Sequence, residues 1–144
     1  METKEMGRVL VVATVENLKD LWDADRGMLE QDKVRRIVIP DALVDTGATG
    51  LSLPARLIQQ LGLPQRGTKR VRTTGGDRQS AVYEAARLTI QGRDCTVDVM
   101  EVPNSVPALI GQIPLEFLDF VIDPRSQTLI GNPAHGGEQM LEAY

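Results

Sequence analysis

Short segments in which apolar and polar residues alternate make up most of this 144-residue chain. A period of two residues is typical of β-strands with one buried face, and Val, Ile and Thr are frequent in these segments. We therefore predict an all-β fold. The predicted strands cover residues 8–15, 34–39, 42–44, 69–73, 78–90, 94–102, 108–110, 119–122 and 127–130.

Helical signals are confined to short stretches. The clearest is 54–61, which has Pro54 in its first turn, three apolar residues on one face and Gly62 directly after it. Proline suits the start of a helix and glycine suits the position after its end. Residues 114–118 are a candidate for a second short helix. The prediction is thus an all-β protein with one or two short helices.

The length and an apolar content of 42% suit a single hydrophobic core. We predict one domain over residues 1–144, with its core at about 8–130. The polar segment 16–33 is predicted to be a loop or insertion with a helical turn at 17–22. The Gly-rich and then charged residues 131–144 are predicted to form a C-terminal tail.

Composition argues against several classes of function. The net charge of −4 argues against a dedicated nucleic-acid binder. Cys95 is the single cysteine, so no intrachain disulfide forms, and a reducing compartment fits best. The charged N-terminus lacks an apolar signal core, and the apolar stretch 9–13 is too short to span a bilayer. We expect a cytoplasmic protein with no nucleic-acid partner and no membrane segment.

One tripeptide suggests a chemistry. Asp45-Thr46-Gly47 follows the apolar run 42–44 and occurs once in the chain. Asp and Gly both suit turns, so the tripeptide also fits an unrelated turn. Acid–base hydrolysis of a peptide needs two carboxylates that share one proton, one acting as acid and the other as base on a water. A chain with one such Asp supplies half of the site, so a peptidase of this kind must be a homodimer.

Other motifs support this interpretation. Residues 42–49 join an apolar run to Asp-Thr-Gly-Ala-Thr, Gly75 and Gly76 lie between predicted strands, and 109–111 is again apolar, apolar, glycine. Together these elements resemble the retropepsin (retroviral-type aspartic peptidase) family over about residues 8–130. The resemblance is closer to the family's bacterial members than to its viral ones.

The resemblance implies a fold and an assembly. The fold would be a retropepsin-like closed β-barrel, the acid-protease fold, with a single lobe. The protein would be a homodimeric aspartic endopeptidase that needs no cofactor and no metal ion. A peptide or protein substrate would lie extended between the protomers.

The resemblance also implies residue roles. Asp45 would be the catalytic carboxylate, Thr46 would hydrogen-bond across the two-fold axis, and Gly47 would leave the backbone close to the carboxylates. Gly75 and Gly76 would form the tip of a flap over the substrate, both with backbone angles that a Cβ resists. The residues implied in substrate binding are Ala48, Thr49, Thr74, Gly75, Gly76, Asp77, Leu109 and Ile110.

The chain departs from the viral pattern at two places. Viral members carry Asp or Asn where this chain has Thr49, and Arg followed by Asp or Asn where it has Gln112-Ile113. The charged lock that ties the helix to the catalytic loop is therefore missing in its usual form. Two other interpretations stay open: a retropepsin-shaped dimerisation or binding module with little or no activity, and a monomeric β-domain with an incidental motif.

Three further signals are ambiguous or weak. Several cations near the proposed flap either attract an acidic substrate or form a solvated hairpin face. These cations are Arg66, Lys69, Arg70, Arg72 and Arg78. His135, the single histidine, is predicted to be a loop residue and not a metal ligand, and Cys95 is predicted to lie in the core.

Overall fold

The structure is a computed structural model that describes residues 8–143. The strands are β1 (Val9–Asn17), β2 (Arg36–Val44), β3 (Leu51–Pro54), β4 (Gln65–Thr73), β5 (Gly76–Ile90), β6 (Arg93–Val102), β7 (Leu109–Ile110), β8 (Phe120–Asp123) and β9 (Thr128–Gly131). The α-helices are α1 (Leu18–Asp25), α2 (Ala55–Leu61) and α3 (Gln112–Leu118). The predicted all-β class is confirmed, with α1 as a helix beyond the predicted ones.

Six strands close into a barrel in the order β1-β2-β7-β3-β6-β5, because β1 pairs with β5 as well as with β2. The pairs β2–β7 and β3–β6 are parallel, and the other pairs in the ring are antiparallel. β4 pairs with β5 outside the ring, and β8 and β9 form a separate hairpin. The predicted single-lobe closed barrel is confirmed.

The barrel core is aliphatic, as the low aromatic content of 3% requires. Alternate residues of β1 point inward along its whole length, which is the period of two seen in the sequence. The inward residues of β1 are Val9, Val11, Ala13 and Val15. Cys95 lies in this core as predicted, and burial raises the pKa of its thiol to about 11. Each fully buried aliphatic side chain contributes about 1.5–3 kcal/mol relative to exposure.

The segment 16–33 is more ordered than predicted. β1 runs on to Asn17, whose side chain caps α1 by accepting from the amide of Asp20 at 3.0 Å and donates to the carbonyl of Leu61 at 2.8 Å. The Asp20 carboxylate in turn accepts two hydrogen bonds from the Arg35 guanidinium, at 2.8 and 3.0 Å. Polar residues anchor this segment. The apolar periodicity of the sequence therefore gave no indication that the segment is ordered.

Two strand predictions are corrected. Residues 42–44 are not a separate strand, because β2 is continuous from Arg36 to Val44. The register between β1 and β2 shifts at Val12 of β1, which lies opposite both Pro40 and Asp41 of β2. Such a bulge accommodates a proline, which cannot donate to a ladder. Residues 51–54, which carried no strand signal, form the buried strand β3.

The described part of the C-terminal tail folds back onto the barrel. Asp119, at the C-terminal end of α3, accepts from the amide of Met140 at 3.0 Å and from Asn132 at 3.2 Å. His135 Nδ1 lies 2.6 Å from the same carboxylate, within the 3₁₀ turn Pro133–His135. The hydrogen bond to Asp119 raises the pKa of His135, and the hydrogen bond from His135 lowers the pKa of Asp119.

Candidate active site

Asp45 lies directly after the end of β2, where the strand leaves the barrel wall. The amide of Leu43 donates to the carbonyl of Ala108, and the amide of Asp45 donates to the carbonyl of Ile110, both at 2.9 Å. These bonds continue the parallel pairing of β2 with β7 up to the carboxylate-bearing residue itself. The backbone of Asp45 is therefore held by a buried strand.

Residues 45–50, which we call the Asp45 loop, wrap around the end of β7. β7 lies between β2 and β3, and the chain after it turns into α3. Three consecutive amides at 111–113 donate to the carbonyls of Gly50, Ala48 and Thr49, each at 2.9 Å. Within residues 8–143, backbone hydrogen bonds thus connect the loop to α3 through the amides of Gln112 and Ile113.

Gly111 makes this close approach possible. An added Cβ would lie 2.6 Å from the carbonyl oxygen of Gly50, 2.7 Å from that of Ala48 and 2.7 Å from the carbonyl carbon of Thr49. All three atoms belong to backbone, which cannot rotate away as a side chain does. The φ of Gly111 is −91°, so the requirement for glycine is one of space and not of backbone angle.

The carboxylate of Asp45 is oriented by its own loop. The amide of Gly47 donates to Asp45 Oδ1 at 2.9 Å, and the amide of Ala48 donates to the Asp45 carbonyl at 3.0 Å. A Cβ on Gly47 would lie 3.2 Å from Oδ1 and would crowd the carboxylate. Asp45 is half-buried, whereas Thr46 and Gly47 are exposed. The loop therefore presents an oriented carboxylate at the barrel surface.

The predicted flap is a ribbon that projects from the barrel. In this β4–β5 ribbon (residues 65–79) every residue is exposed except the half-buried Val71. Thr73 pairs with Gly76, so Thr74 and Gly75 form the turn between the strands. Gly76 has a φ of +112° as expected, but Gly75 does not have a positive φ, so that part of the prediction is wrong.

A threonine hydroxyl closes the tip of the ribbon. Thr73 Oγ1 accepts from the amide of Gly75 at 3.1 Å and donates to the carbonyl of Gly76 at 2.8 Å. Sequence reasoning missed this residue, because threonine is common in strands and gave no separate signal. Asp77 pairs with Arg70 and Arg72 across the ribbon, at 3.2 and 3.3 Å.

A family model for aspartyl proteases matches residues 34–133. The matched segment runs from β2 to the 3₁₀ turn after β9, and it contains the Asp45 loop, the β4–β5 ribbon and Gly111. The chain belongs to the aspartyl protease family. The predicted assignment to the retropepsin-like aspartic peptidases is confirmed, and it supports a proteolytic function in general. No curated protein matches the chain.

In this member of the aspartyl protease family, the two residues of β7 face opposite sides. Leu109 is half-buried and lies beside Leu43, on the side of the sheet away from the core. The side chain of Ile110 is fully buried, so its predicted contact with substrate is corrected to a supporting role, in which its carbonyl holds the amide of Asp45. Alternation along a strand explains the difference.

An apolar surface borders the Asp45 loop. Ile113 and Phe117 lie one turn apart on α3 and are 59% and 47% exposed, and Val121 on β8 is 36% exposed. We call these three residues the α3–β8 face. Beside it, Thr46 lines a cavity of about 210 Å³ together with Gln112, Leu115, Phe120, Val121, Ile122 and Leu129. The sequence alone does not distinguish the apolar residues of this face and cavity from residues of the core.

Two features are absent from residues 8–143. No cluster of three or more His, Cys, Asp or Glu side chains there is arranged to hold a metal ion. His135, the residue considered as a ligand, is engaged with Asp119. In the same part of the chain, none of the helices combines the length and the hydropathy needed to cross a membrane.

Proposed function

We propose that this protein is a homodimeric aspartic endopeptidase in which the two Asp45 carboxylates, one from each protomer, activate a water. The observation that carries the proposal is the single oriented carboxylate per chain, held by the Gly47 amide and by the backbone of β7. One carboxylate is half of the required pair, so a second copy supplies the other half.

The chemistry follows from a pair that holds one proton. The ionised Asp45 takes a proton from the water, whose oxygen attacks the carbonyl carbon of the scissile bond. The protonated Asp45 of the second protomer donates to the carbonyl oxygen, which gives a neutral tetrahedral intermediate. A proton then passes to the leaving nitrogen as the C–N bond breaks, and the pair returns to its starting state. The reaction consumes only water and uses no cofactor.

The α3–β8 face is the surface on which the second copy would pack. It is apolar, it is exposed in the single chain, and Ile113 at one end of it is bonded through its amide to the carbonyl of Thr49. Burying exposed Ile, Phe and Val side chains favours association. A two-fold axis beside this face lets the exposed Thr46 hydroxyls hydrogen-bond between protomers.

The substrate would lie extended in the groove between the protomers. Its backbone would pair with the β4–β5 ribbon as an added strand. The contacts would come from Ala48 and Thr49 in the Asp45 loop, from residues 74–77 at the tip of the ribbon and from Leu109. We propose further that the protein is of the bacterial type and acts in the cytoplasm, where its lone cysteine stays reduced.

The assembly is tested by placing a charge on the α3–β8 face. Phe117→Glu should give a monomer in sedimentation and should abolish proteolysis, since a carboxylate opposes burial against the second copy. Trp22→Glu is the matched control, because Trp22 is similarly exposed at 54% but lies on α1. The wild type should also lose specific activity on dilution. A wild-type monomer with full activity would exclude the paired mechanism.

The second candidate is a retropepsin-shaped dimerisation or binding module with little activity. The observation that favours it is the missing charged lock at Gln112-Ile113. A wild-type dimer that cleaves nothing in a broad peptide library would support this alternative. Cleavage that depends on Asp45 would exclude it.

A further inference from the structure

The strand β4 lies at one end of the seven-stranded sheet. In the part of the chain that the structure describes, β4 pairs with β5 along one edge and with no strand along the other. All nine residues of β4 are exposed except the half-buried Val71. We call the second edge, which no strand among residues 8–143 pairs with, the open edge of β4.

The strand register shows which backbone groups lie along the open edge. Thr73 pairs with Gly76 across a two-residue turn, a geometry in which the two residues hydrogen-bond to each other. Hydrogen-bonded and non-hydrogen-bonded pairs alternate along an antiparallel ladder, and the register is regular from 67 to 73. Thr68, Arg70 and Arg72 therefore direct both amide and carbonyl away from β5, toward the open edge.

The open edge also carries an excess of positive charge. β4 has no carboxylate, and its cations are Arg66, Lys69, Arg70 and Arg72. Asp77 of β5 forms salt bridges with both Arg70 and Arg72, at 3.2 and 3.3 Å, and Glu84 pairs with Arg66 at 3.5 Å. Within residues 8–143, Lys69 forms no salt bridge. This strand is therefore a basic segment on a protein whose net charge is −4.

The cations of β4 are distributed over both faces of the strand. Successive side chains point to opposite faces, so Lys69 lies on one face, and Arg70 and Arg72 lie on the other. A strand added at the open edge would alternate in the same way. Its acidic side chains would meet cations on whichever face they lie. The attraction thus does not depend on which face of the ribbon turns toward the Asp45 loop.

We infer that the open edge of β4 is a docking site for an extended peptide segment rich in Asp and Glu. The segment would add to the sheet as a further strand, with main-chain hydrogen bonds to Thr68, Arg70 and Arg72 and ion pairs to the cations of β4. The same cations repel basic strands, including the β4 of a second copy. The inference rests on the proposed function, in which a peptide pairs with the ribbon, and it specifies the edge and the charge of that peptide.

The test compares two labelled peptides that differ only in charge. Each has about ten residues, long enough to span the strand, and alternates Thr with Glu in one peptide and Thr with Gln in the other. Kd is read by fluorescence anisotropy on the Asp45→Asn variant, so that neither peptide is cleaved. The Glu peptide should bind more tightly by roughly threefold to tenfold at low salt, as expected for a few exposed ion pairs, and added salt should reduce the difference. Equal Kd values for the two peptides would overturn the inference.

Two double variants locate the charge preference. Lys69→Gln with Arg70→Gln removes one cation from each face of β4 and should abolish most of the preference for the Glu peptide. Lys33→Gln with Arg125→Gln removes the same charge from exposed positions outside the ribbon and should leave the preference in place. An equal loss in both variants would overturn the inference, because the effect would then come from net charge.

A proline at the open edge separates strand addition from charge attraction alone. Thr68→Pro removes one amide that faces the open edge, while it keeps every charge and every ladder bond to β5; Gly67 before it has no Cβ to oppose the ring. Kd should rise roughly threefold to tenfold for both peptides, the effect of one lost hydrogen bond. Thr68→Val keeps the amide and should bind like the parent. An unchanged Kd in Thr68→Pro would show attraction without strand pairing and would overturn the inference.

Binding and cleavage distinguish this inference from the proposed function. A Glu preference in Kd, together with weaker binding by Thr68→Pro, supports the inference even if the wild type cleaves no peptide and the proposed function fails. Wild-type cleavage with the same kcat/KM for Glu and Gln peptides, unchanged by Thr68→Pro, would leave the Asp45 chemistry standing and overturn the inference.

Discussion

The Asp45 loop and the β4–β5 ribbon both extend beyond the barrel, but they are held in different ways. Four backbone hydrogen bonds join the Asp45 loop to the segment 110–113, each at 2.9 Å. The ribbon is attached through the pairing of β4 with β5, and at its tip through the Thr73 hydroxyl. The loop is packed so closely that Gly111 has no space for a Cβ, whereas a Cβ on Gly76 would meet nothing within 4 Å.

The difference matches two demands of the proposed chemistry. Paired carboxylates must be held in a fixed geometry, since small displacements cost rate. A segment that admits substrate and then closes must move, so it is drawn from regions with few buried contacts and exposed hydrogen bonds. Substitutions in the loop should therefore affect the chemical step or the fold, and substitutions in the ribbon should affect substrate capture.

The largest effect is expected from Asp45→Asn. The amide is nearly isosteric and its oxygen can still accept from Gly47, so stability should change little. It cannot act as a base, so kcat/KM should fall by several orders of magnitude, as it does when one member of a catalytic unit is removed. Asp41→Asn, at an exposed position of β2, is the control. Full cleavage by purified Asp45→Asn would show that another residue carries the chemistry.

Gly111→Ala tests how tightly the loop is packed. Its Cβ would meet backbone atoms of 48–50 at 2.6 to 2.7 Å, so the loop or β7 must shift. We expect a loss of about 1–3 kcal/mol in the free energy of unfolding, the range for overpacking, together with a lower kcat. Denaturant unfolding measures the first quantity. Gly50→Ala, where a Cβ meets nothing within 4 Å, should be close to neutral.

Gly76→Val tests the mobility of the ribbon tip. A φ of +112° is strained for a β-branched residue, so the tip should distort. We expect kcat/KM to fall roughly tenfold through weaker capture and closure.

The wild-type rate should be bell-shaped in pH, because the Asp45 pair must hold one proton, and the Gly76→Val variant should keep this pH profile.

Gly75→Ala is the control for Gly76→Val. Gly75 has no positive φ, and its added Cβ would lie 3.7 Å from Thr73 Oγ1, an ordinary contact. If Gly76→Val left the kinetics unchanged, the assignment of the ribbon as the flap would be wrong.

Thr73→Val removes the hydroxyl that closes the tip while keeping the branched shape. The exposed tip can exchange these bonds for water, so the net loss is about 0.5–1.5 kcal/mol at most. We expect a smaller fall in kcat/KM than for Gly76→Val, and Thr73→Ser should restore most of it. A loss in Thr73→Ser as large as that in Thr73→Val would show that the methyl group, and not the hydroxyl, matters.

The His135–Asp119 pair lies in neither the Asp45 loop nor the β4–β5 ribbon. Its titration should therefore change the stability of the fold without changing how the loop and the ribbon are held. The pKa of His135 is raised above its usual 6.5, so the pair stabilises the fold below that pH and loses this contribution as pH rises through the raised pKa. The wild type should exceed His135→Gln in melting temperature more at about pH 5.5 than at about pH 9. An equal difference at both pH values would contradict this account.

The sequence by itself predicted the barrel strands other than β3, the Asp45 loop and the ribbon, because each leaves a local signal. Alternation reports which face of a strand is buried, and Asp-Thr-Gly and Gly-Gly mark turns whose residue types are restricted. Gly111 also stood out by its position after two apolar residues. The reason that it must be glycine, a close approach of residues 48–50, became visible only in the fold.

Other features were decided by tertiary structure because they depend on partners distant in sequence. α1 is anchored by Asn17 on Leu61 and by Asp20 on Arg35, and the tail is anchored by His135 on Asp119. Polar anchors of this kind have no periodicity that a sequence window could detect. The pairing of Asp77 with Arg70 and Arg72 likewise follows from the β4–β5 register, which is set when the strands pair and not by the residues of either strand alone.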